Sequence, residues 1–142
     1  MSRRVMVSAL AVGVSLLFTP LLADDVTGSS AILCSAAQAT RCFADGECST
    51  GPPWKWDIPM FIEIDLNAKK LSTTAASGEN RSTPIKTIER GDGLIFLQGV
   101  EAGRAFSFVI TEETGFLSVG VATQGMAVAA FGGCTPKTEG SR

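Results

Sequence analysis

Four cysteines and two closely spaced tryptophans are the residues of this chain with the most distinctive chemistry. The chain contains no histidine, which is the commonest general base and the commonest metal ligand in proteins. The cysteines do not form the Cys-x-x-Cys motif of redox enzymes, and they lack the closely spaced pairs of a zinc site. The sequence therefore predicts structural disulfides, with no metal and no cofactor.

The four cysteines can pair in three ways. Cys42 and Cys48 flank an Asp-Gly turn, and a disulfide between them would close a small loop. Cys34 would then join Cys134 and tie the N-terminal segment to the end of the last predicted strand. We expect this connectivity, while the two others remain open at this point.

The first 23 residues have the pattern of an export signal. Arg3 and Arg4 form a short positive region, residues 5–18 are apolar, and Ala23 ends a cleavage segment. The apolar run is shorter than the roughly 20 residues that a membrane-spanning helix needs, although an uncleaved anchor is the alternative. We expect residues 1–23 to be a signal peptide and the mature protein to be periplasmic or secreted, where cysteines oxidise.

Residues 24–53 are expected to form an N-terminal helix followed by a disulfide loop. The stretch 32–39 is rich in alanine and contains neither glycine nor proline, so it predicts a short helix that a preceding serine could cap. The two prolines at 52 and 53 then impose an extended conformation and end this segment.

Residues 54–136 are expected to form an antiparallel β domain, and residues 137–142 a tail. Apolar and polar residues alternate at 62–66 and again at 83–89, which is the pattern of strands with one buried face. Tight-turn signals recur at regular spacing and separate about seven short strands. The fold class is therefore mainly β, a meander that curls into a small barrel or a curled sheet, with glycines at 99, 120, 132 and 133 easing the bend.

The sequence Trp54-Lys55-Trp56, directly after the two prolines, is the first candidate binding site. In an extended chain the two indoles would point to the same side and form a stacking platform for a sugar ring or a protein partner. The alternative is that Trp56 closes one end of the barrel while Trp54 covers the predicted helix.

Two further candidates are a polar loop and a charged hairpin. The loop at 77–82 contains Ser77 and Arg81, and it could insert into a partner's cleft or simply be solvated. Glu101 and Arg104 flank the predicted Ala-Gly turn and would face each other across a hairpin. Such a pair supports strand register, and Arg104 would have a binding role if it pointed into the barrel or toward a ligand carboxylate.

Composition argues against several other functions. Twelve basic and 14 acidic residues give a net charge of −2 without a cationic patch, so we expect no nucleic-acid partner and no membrane partner after signal cleavage. Asp57, Glu63 and Asp65 are the carboxylates nearest the tryptophans and could serve a glycosidase. The strand pattern places the latter two on a polar face, and the common serine-nucleophile motifs are absent, so we expect no enzyme.

The run Leu-Gln-Gly-Val-Glu-Ala-Gly-Arg-Ala-Phe-Ser-Phe at 97–108 and the ending Phe-Gly-Gly-Cys-Thr-Pro at 131–136 resemble small exported proteins of proteobacteria without an assigned function. The likeness covers the chain from about Cys34 to Pro136 and implies a bacterial envelope protein. Ser77-Gly78 is also similar to the loop that periplasmic inhibitors of c-type lysozyme insert into the lysozyme active site. This chain lacks the aromatic residue expected shortly after that pair.

Together these observations predict a monomeric, non-catalytic binding or inhibitor module for an envelope protein or glycan. A carrier of small apolar ligands, with a cavity lined by Phe106, Phe108 and residues 94–97, is one alternative, and a structural envelope component is the other. The candidate binding residues are Trp54, Trp56, Ser77, Arg81 and Arg104.

Overall fold

The computed structural model describes residues 23–78 and 80–138, so the predicted signal peptide except its last residue, and most of the predicted tail, lie outside the described residues. Within these ranges the chain forms one antiparallel sheet of ten strands that curls into a half-barrel. The strands are β1 (Ala31–Phe43), β2 (Cys48–Gly51), β3 (Phe61–Asp65), β4 (Lys70–Thr73), β5 (Ser82–Pro84), β6 (Thr87–Gly91), β7 (Leu94–Glu101), β8 (Arg104–Thr111), β9 (Phe116–Thr123) and β10 (Met126–Pro136).

The strands follow the spatial order β5-β4-β3-β1-β10-β9-β8-β7-β6, and β2 also pairs with β1. The short segment between β5 and β6 connects the two ends of this order. Ile85 donates its N–H to the carbonyl of Lys69 beside β4, at 2.8 Å, and Lys86 donates to the carbonyl of Gln98 in β7, at 2.8 Å. One continuous piece of chain thus brings the two edges of the curled sheet together.

The predicted helix at 32–39 is wrong, because these residues belong to β1. This strand pairs with β10 along one edge and with β3 and β2 along the other. Its residues Ile32, Cys34 and Ala36 are buried at alternate positions, and a register shift between Ala36 and Gln38 then changes which residues face the core. Pairing on both edges outweighs the helical preference of an alanine-rich stretch, since propensity is a weak local effect.

The remaining strand predictions hold in outline, although the described residues form ten strands rather than about seven. Strands β1 and β2 were not expected, and the stretch predicted as one strand at 83–89 divides into β5 and β6. The meander is interrupted once, because β1 lies between β3 and β10. The predicted two-residue hairpin turn at Ala102-Gly103 is confirmed, and both residues have the positive φ angles, 48° and 77°, that such a turn needs.

Both expected disulfides are confirmed. Cys34 and Cys134 face each other across β1 and β10 and are almost fully buried, while Cys42 and Cys48 face each other across β1 and β2. Two disulfides are typical of a protein in an oxidising, extracytoplasmic compartment. In the described part of the chain, no helix has the length and apolar character required to cross a membrane. The core inside the curl is aliphatic, with completely buried side chains at Ile32, Ile64, Ile95, Leu97 and Ile110.

Candidate functional site

Four charged side chains meet where the β7–β8 hairpin approaches the segments that precede β3 and β5. Asp57 and Glu101 alternate with Arg81 and Arg104 in a closed set of ion pairs, which we call the ion-pair ring. Arg104 places Nη1 3.0 Å from Oδ2 of Asp57 and Nη2 3.7 Å from Oε2 of Glu101. Arg81 places Nη2 2.6 Å from Oε2 of Glu101 and Nη1 3.4 Å from Oδ1 of Asp57. Two positive and two negative charges therefore balance each other.

The ion-pair ring lies at the mouth of an apolar recess of about 70 Å³. All four charged residues line it, together with the polar side chain of Thr83. Its walls come from residues of β3, β4, β8 and β9 and from the segment before β3: Ile58, Ile62, Leu71, Phe106, Phe108 and Val119. The arrangement presents paired charges around a small apolar opening, which is the usual composition of a ligand site.

Glu101 is the most firmly held carboxylate of the ion-pair ring. Arg81 donates to both of its oxygens, from Nε at 3.3 Å and from Nη2 at 2.6 Å, and the Thr83 hydroxyl donates at 2.6 Å. The hydrogen bonds from Arg81 lower the pKa of Glu101; partial burial opposes that effect, and the hydrogen bond from Thr83 and the charges of both arginines reinforce it. Glu101 is therefore ionised at neutral pH and orients the two guanidinium groups.

Asp57 is held in a different way. It follows the short 3₁₀ helix Pro53–Trp56 and adopts a left-handed conformation, with φ 62° and ψ 32°, which aspartate tolerates better than most residues. Its side chain is 62% exposed, although its carboxylate bridges both arginines. Sequence analysis considered Asp57 only as a catalytic carboxylate. No local pattern indicates its pairing, because its partners come from distant segments.

The predicted pairing of Glu101 with Arg104 across the β7–β8 hairpin is confirmed. Arg104 is partly buried and lines the recess, and the carboxylates that it contacts are those of Asp57 and Glu101, so its binding role stays a prediction. The side chain of Arg81 does not extend from its loop into solvent, because it pairs with Asp57 and Glu101. Its Nη1 donates to the backbone carbonyl of Asp57 at 3.2 Å, which fixes the loop before β5 against the segment before β3.

Ser77 lies outside the ion-pair ring and has a structural contact. Its hydroxyl donates to the carbonyl of Phe61 at 3.0 Å and accepts a hydrogen bond from the N–H of the same residue at 3.3 Å. These bonds attach the second 3₁₀ helix, Ala75–Ser77, to the start of β3. Nothing in this geometry tests the likeness to lysozyme inhibitors.

The two tryptophans are not on one extended strand, so that part of the platform prediction is wrong. Prolines at the start of the segment favour a 3₁₀ turn over residues 53–56, which separates the two indoles. Trp56 packs against the core, and the guanidinium carbon of Arg41 lies 5.5 Å from its ring centroid. Trp54 is 60% exposed and stands three residues before Asp57. Of the two tryptophans, Trp54 is therefore the exposed one, and its backbone carbonyl accepts a hydrogen bond from the N–H of Asp57 at 3.3 Å.

A second concavity lies on the outer face of the sheet, across β7 to β10 and β1. It is an open trough of about 750 Å³, and Lys86 is the one ionisable residue among those that line it in the described part of the chain. Small residues form much of its lining and leave space above the sheet: Ala105, Ser107, Gly120, Ala122, Ala127 and Ala129. The trough is not an internal cavity, and the predicted binding residues do not line it.

Comparisons with protein-family models, with curated proteins and with solved structures find no match to this chain. The resemblances suggested by the sequence therefore stay predictions. Any proposal about function rests on the geometry described above.

Proposed function

We propose that this protein is an exported, non-catalytic binding module that captures an envelope protein or glycan. The binding surface, which we call the ring surface, consists of the ion-pair ring, its recess and the exposed side chains of Trp54 and Met60, which lie three residues before and three residues after Asp57 in the chain. The observation that supports this proposal best is the meeting of two arginines and two carboxylates at an apolar recess, with an exposed tryptophan three residues before Asp57 in the chain. Arginine and tryptophan are the residue types most enriched at the energetic centres of interfaces.

The state of the carboxylates favours binding over catalysis. A glycosidase needs one carboxylic acid with a raised pKa, whereas the pKa of Glu101 is lowered by its partners. Glu63 forms an ion pair with Lys137 at 2.7 Å, and Asp65 accepts a hydrogen bond from the N–H of Ala68 at 2.8 Å. The acidic residues near the tryptophans thus have structural partners.

The carrier alternative has less support. A pocket for a drug-sized molecule has a volume of about 300–1,000 Å³, and the recess of about 70 Å³ is well below that range. The outer trough is large enough, but it is open to solvent and does not enclose a ligand. No specific observation favours a purely structural role.

The proposal is tested with the oxidised protein purified from the periplasm. Capture is measured as co-sedimentation with purified peptidoglycan and as retention of proteins from an envelope extract. Trp54→Ala and Arg104→Ala are each expected to reduce saturable capture by about tenfold or more, as is usual for central interface residues. Arg90→Ala is the matched control, because Arg90 is also ion-paired, with Glu112 at 2.6 Å, but lies outside the ring surface.

Capture that is unchanged in Trp54→Ala and Arg104→Ala would contradict the proposal, and so would the absence of saturable capture by the unmodified protein. Circular dichroism of each variant verifies that the fold is intact.

A further inference from the structure

We propose that Arg81 and Arg104 form a binding site for the terminal carboxylate of a ligand, and that Asp57 occupies this site when the ligand is absent. The ligand class is a monocarboxylate with a short apolar group next to the carboxylate, supplied either by a free acid or by a peptide C-terminus. This inference rests on the proposed function, because it assigns a ligand chemistry to the ring surface.

The first argument is the way in which Asp57 is bound. Its two carboxylate oxygens are shared between the guanidinium groups, with Oδ1 3.4 Å from Arg81 and Oδ2 3.0 Å from Arg104. Two planar guanidinium groups on either side of a carboxylate are well suited to binding that group, since each offers several donors in a fixed geometry. Asp57 therefore marks the position that a ligand carboxylate would take.

The second argument is the difference in anchoring between the two acidic members. Glu101 is 28% exposed and is held by both oxygens through Arg81 and Thr83. Asp57 is far more exposed, lies on a turn and makes one ion pair with each arginine. Exposed ion pairs contribute little to stability, so Asp57 is the member that a competing carboxylate can displace. Glu101 would keep both arginines in place after displacement.

The third argument is the match between charge and volume. A ligand monocarboxylate that takes the place of Asp57 leaves both arginines facing a carboxylate, while the displaced side chain of Asp57, already 62% exposed, keeps its charge in solvent, where that charge is screened. The recess behind the arginines is lined by Leu71, Phe106 and Phe108, and its volume of about 70 Å³ accommodates a few methyl-sized groups. A short aliphatic chain fits this space, whereas an aromatic ring or a long chain does not.

The inference is tested by calorimetric titration with butyrate and with N-acetyl-alanyl-alanine, which represent a free acid and a peptide C-terminus. Butyramide and the C-terminal amide of the dipeptide are the uncharged controls. Asp57→Asn is expected to bind the preferred carboxylate about fivefold more tightly than the unmodified protein, because the internal competitor has lost its charge. Asparagine tolerates the left-handed conformation, so this variant keeps the backbone of the turn. Arg104→Ala is expected to bind at least about tenfold more weakly.

Binding of either acid with these dependences supports the inference. A preference for one acid identifies the source of the carboxylate, and equal binding shows that the site accepts both. The inference is overturned if neither acid binds Asp57→Asn, if the amides bind as tightly as the acids, or if Arg104→Ala binds normally. Envelope capture is measured in parallel with the same protein. Capture that depends on Trp54 without any carboxylate binding overturns this inference alone, whereas capture insensitive to Trp54 and Arg104 overturns the proposed function.

Discussion

Arg104 at the start of β8 and Asp57 in the turn before β3 form an ion pair of 3.0 Å, although a long stretch of chain separates them. This contact closes the ion-pair ring and joins the β7–β8 hairpin to the segment that contains both tryptophans. Asp57 also donates its backbone N–H to the carbonyl of Trp54 at 3.3 Å, so the same residue contacts the hairpin through its side chain and the 3₁₀ turn through its backbone.

Glu101 predicts a specific dependence of stability on pH. Because its pKa is lowered in the folded protein, its stabilising effect is fully present above the ordinary glutamate pKa of about 4.3 and declines as the pH falls through the folded pKa. Glu101→Gln is expected to reduce the free energy of unfolding by about 1–2 kcal/mol at pH 7. This difference should shrink as the pH falls from about 4.5 to about 3, through and below the ordinary glutamate pKa of about 4.3. Urea unfolding across this range measures it.

The exposed Glu89 of β6 provides the control, since Glu89→Gln should alter stability by less than about 0.5 kcal/mol at every pH. A Glu101→Gln effect of the same size at pH 7 and pH 3 would show that the ion-pair ring does not stabilise the ionised form.

The two disulfides are expected to differ in their contributions. Cys34 and Cys134 are 100 residues apart, and Cys42 and Cys48 are 6 apart. In the chain-entropy model, removing the first by the double alanine substitution costs about 4–5 kcal/mol, and removing the second costs about 2 kcal/mol. Denaturant unfolding of the two double variants checks the order. A larger loss from the Cys42–Cys48 pair would be inconsistent with this account.

Gly132 is predicted to be irreplaceable for a steric reason. A Cβ atom there would overlap the carbonyl oxygen of Ser35 and lie 2.9 Å from the Cα of Ala36, next to the register shift of β1. Backbone atoms must then move, so Gly132→Ala is expected to destabilise the fold by about 2–3 kcal/mol. At Gly120, by contrast, a Cβ atom meets nothing within 4 Å.

Gly120→Ala is thus the matched control and should change the urea midpoint little. If both alanine variants unfold at the same urea concentration, the close approach of β1 and β10 at Gly132 is not a constraint on the fold.

Alanine substitutions of the two tryptophans are expected to have different effects, one on stability and the other on binding. Trp56 packs on the core and lies over Arg41, so Trp56→Ala is expected to cost about 2–3 kcal/mol. Trp54 is exposed, so Trp54→Ala should change stability by less than about 0.5 kcal/mol while reducing envelope capture. Thermal unfolding and capture are measured on the same samples. An equal loss of stability in both variants would mean that Trp54 is a packing residue.

Several features could be predicted from sequence because they depend on short-range patterns. The alternation at 62–66 indicates β3 since one face of that strand is buried, and the Ala-Gly turn sets the register that pairs Glu101 with Arg104. The expected disulfide connectivity rested on a short loop around a turn, and the structure has this pairing among the three that the sequence allowed.

The features that sequence analysis missed depend on long-range contacts. Strand β1 contains small residues that suit a helix equally well, and only its pairing with β3 and β10 decides between the two. The ion-pair ring draws Asp57, Arg81 and the β7–β8 hairpin from separate segments, and no spacing in the sequence relates them. The 3₁₀ turn at 53–56 was missed for a different reason, because the prolines that favour it are equally compatible with the extended conformation that we expected.

The central claim, that partners bind at the ring surface, is tested most directly by site-specific photocrosslinking in living cells. Benzoylphenylalanine replaces either Trp54 beside the ion-pair ring or Phe131 on the outer face of β10, two positions that are 60% and 59% exposed. The account predicts a discrete crosslinked adduct from position 54 that disappears when Arg104→Ala is added, and no such adduct from position 131. An adduct from position 131 alone, or one from position 54 that persists without Arg104, would contradict it.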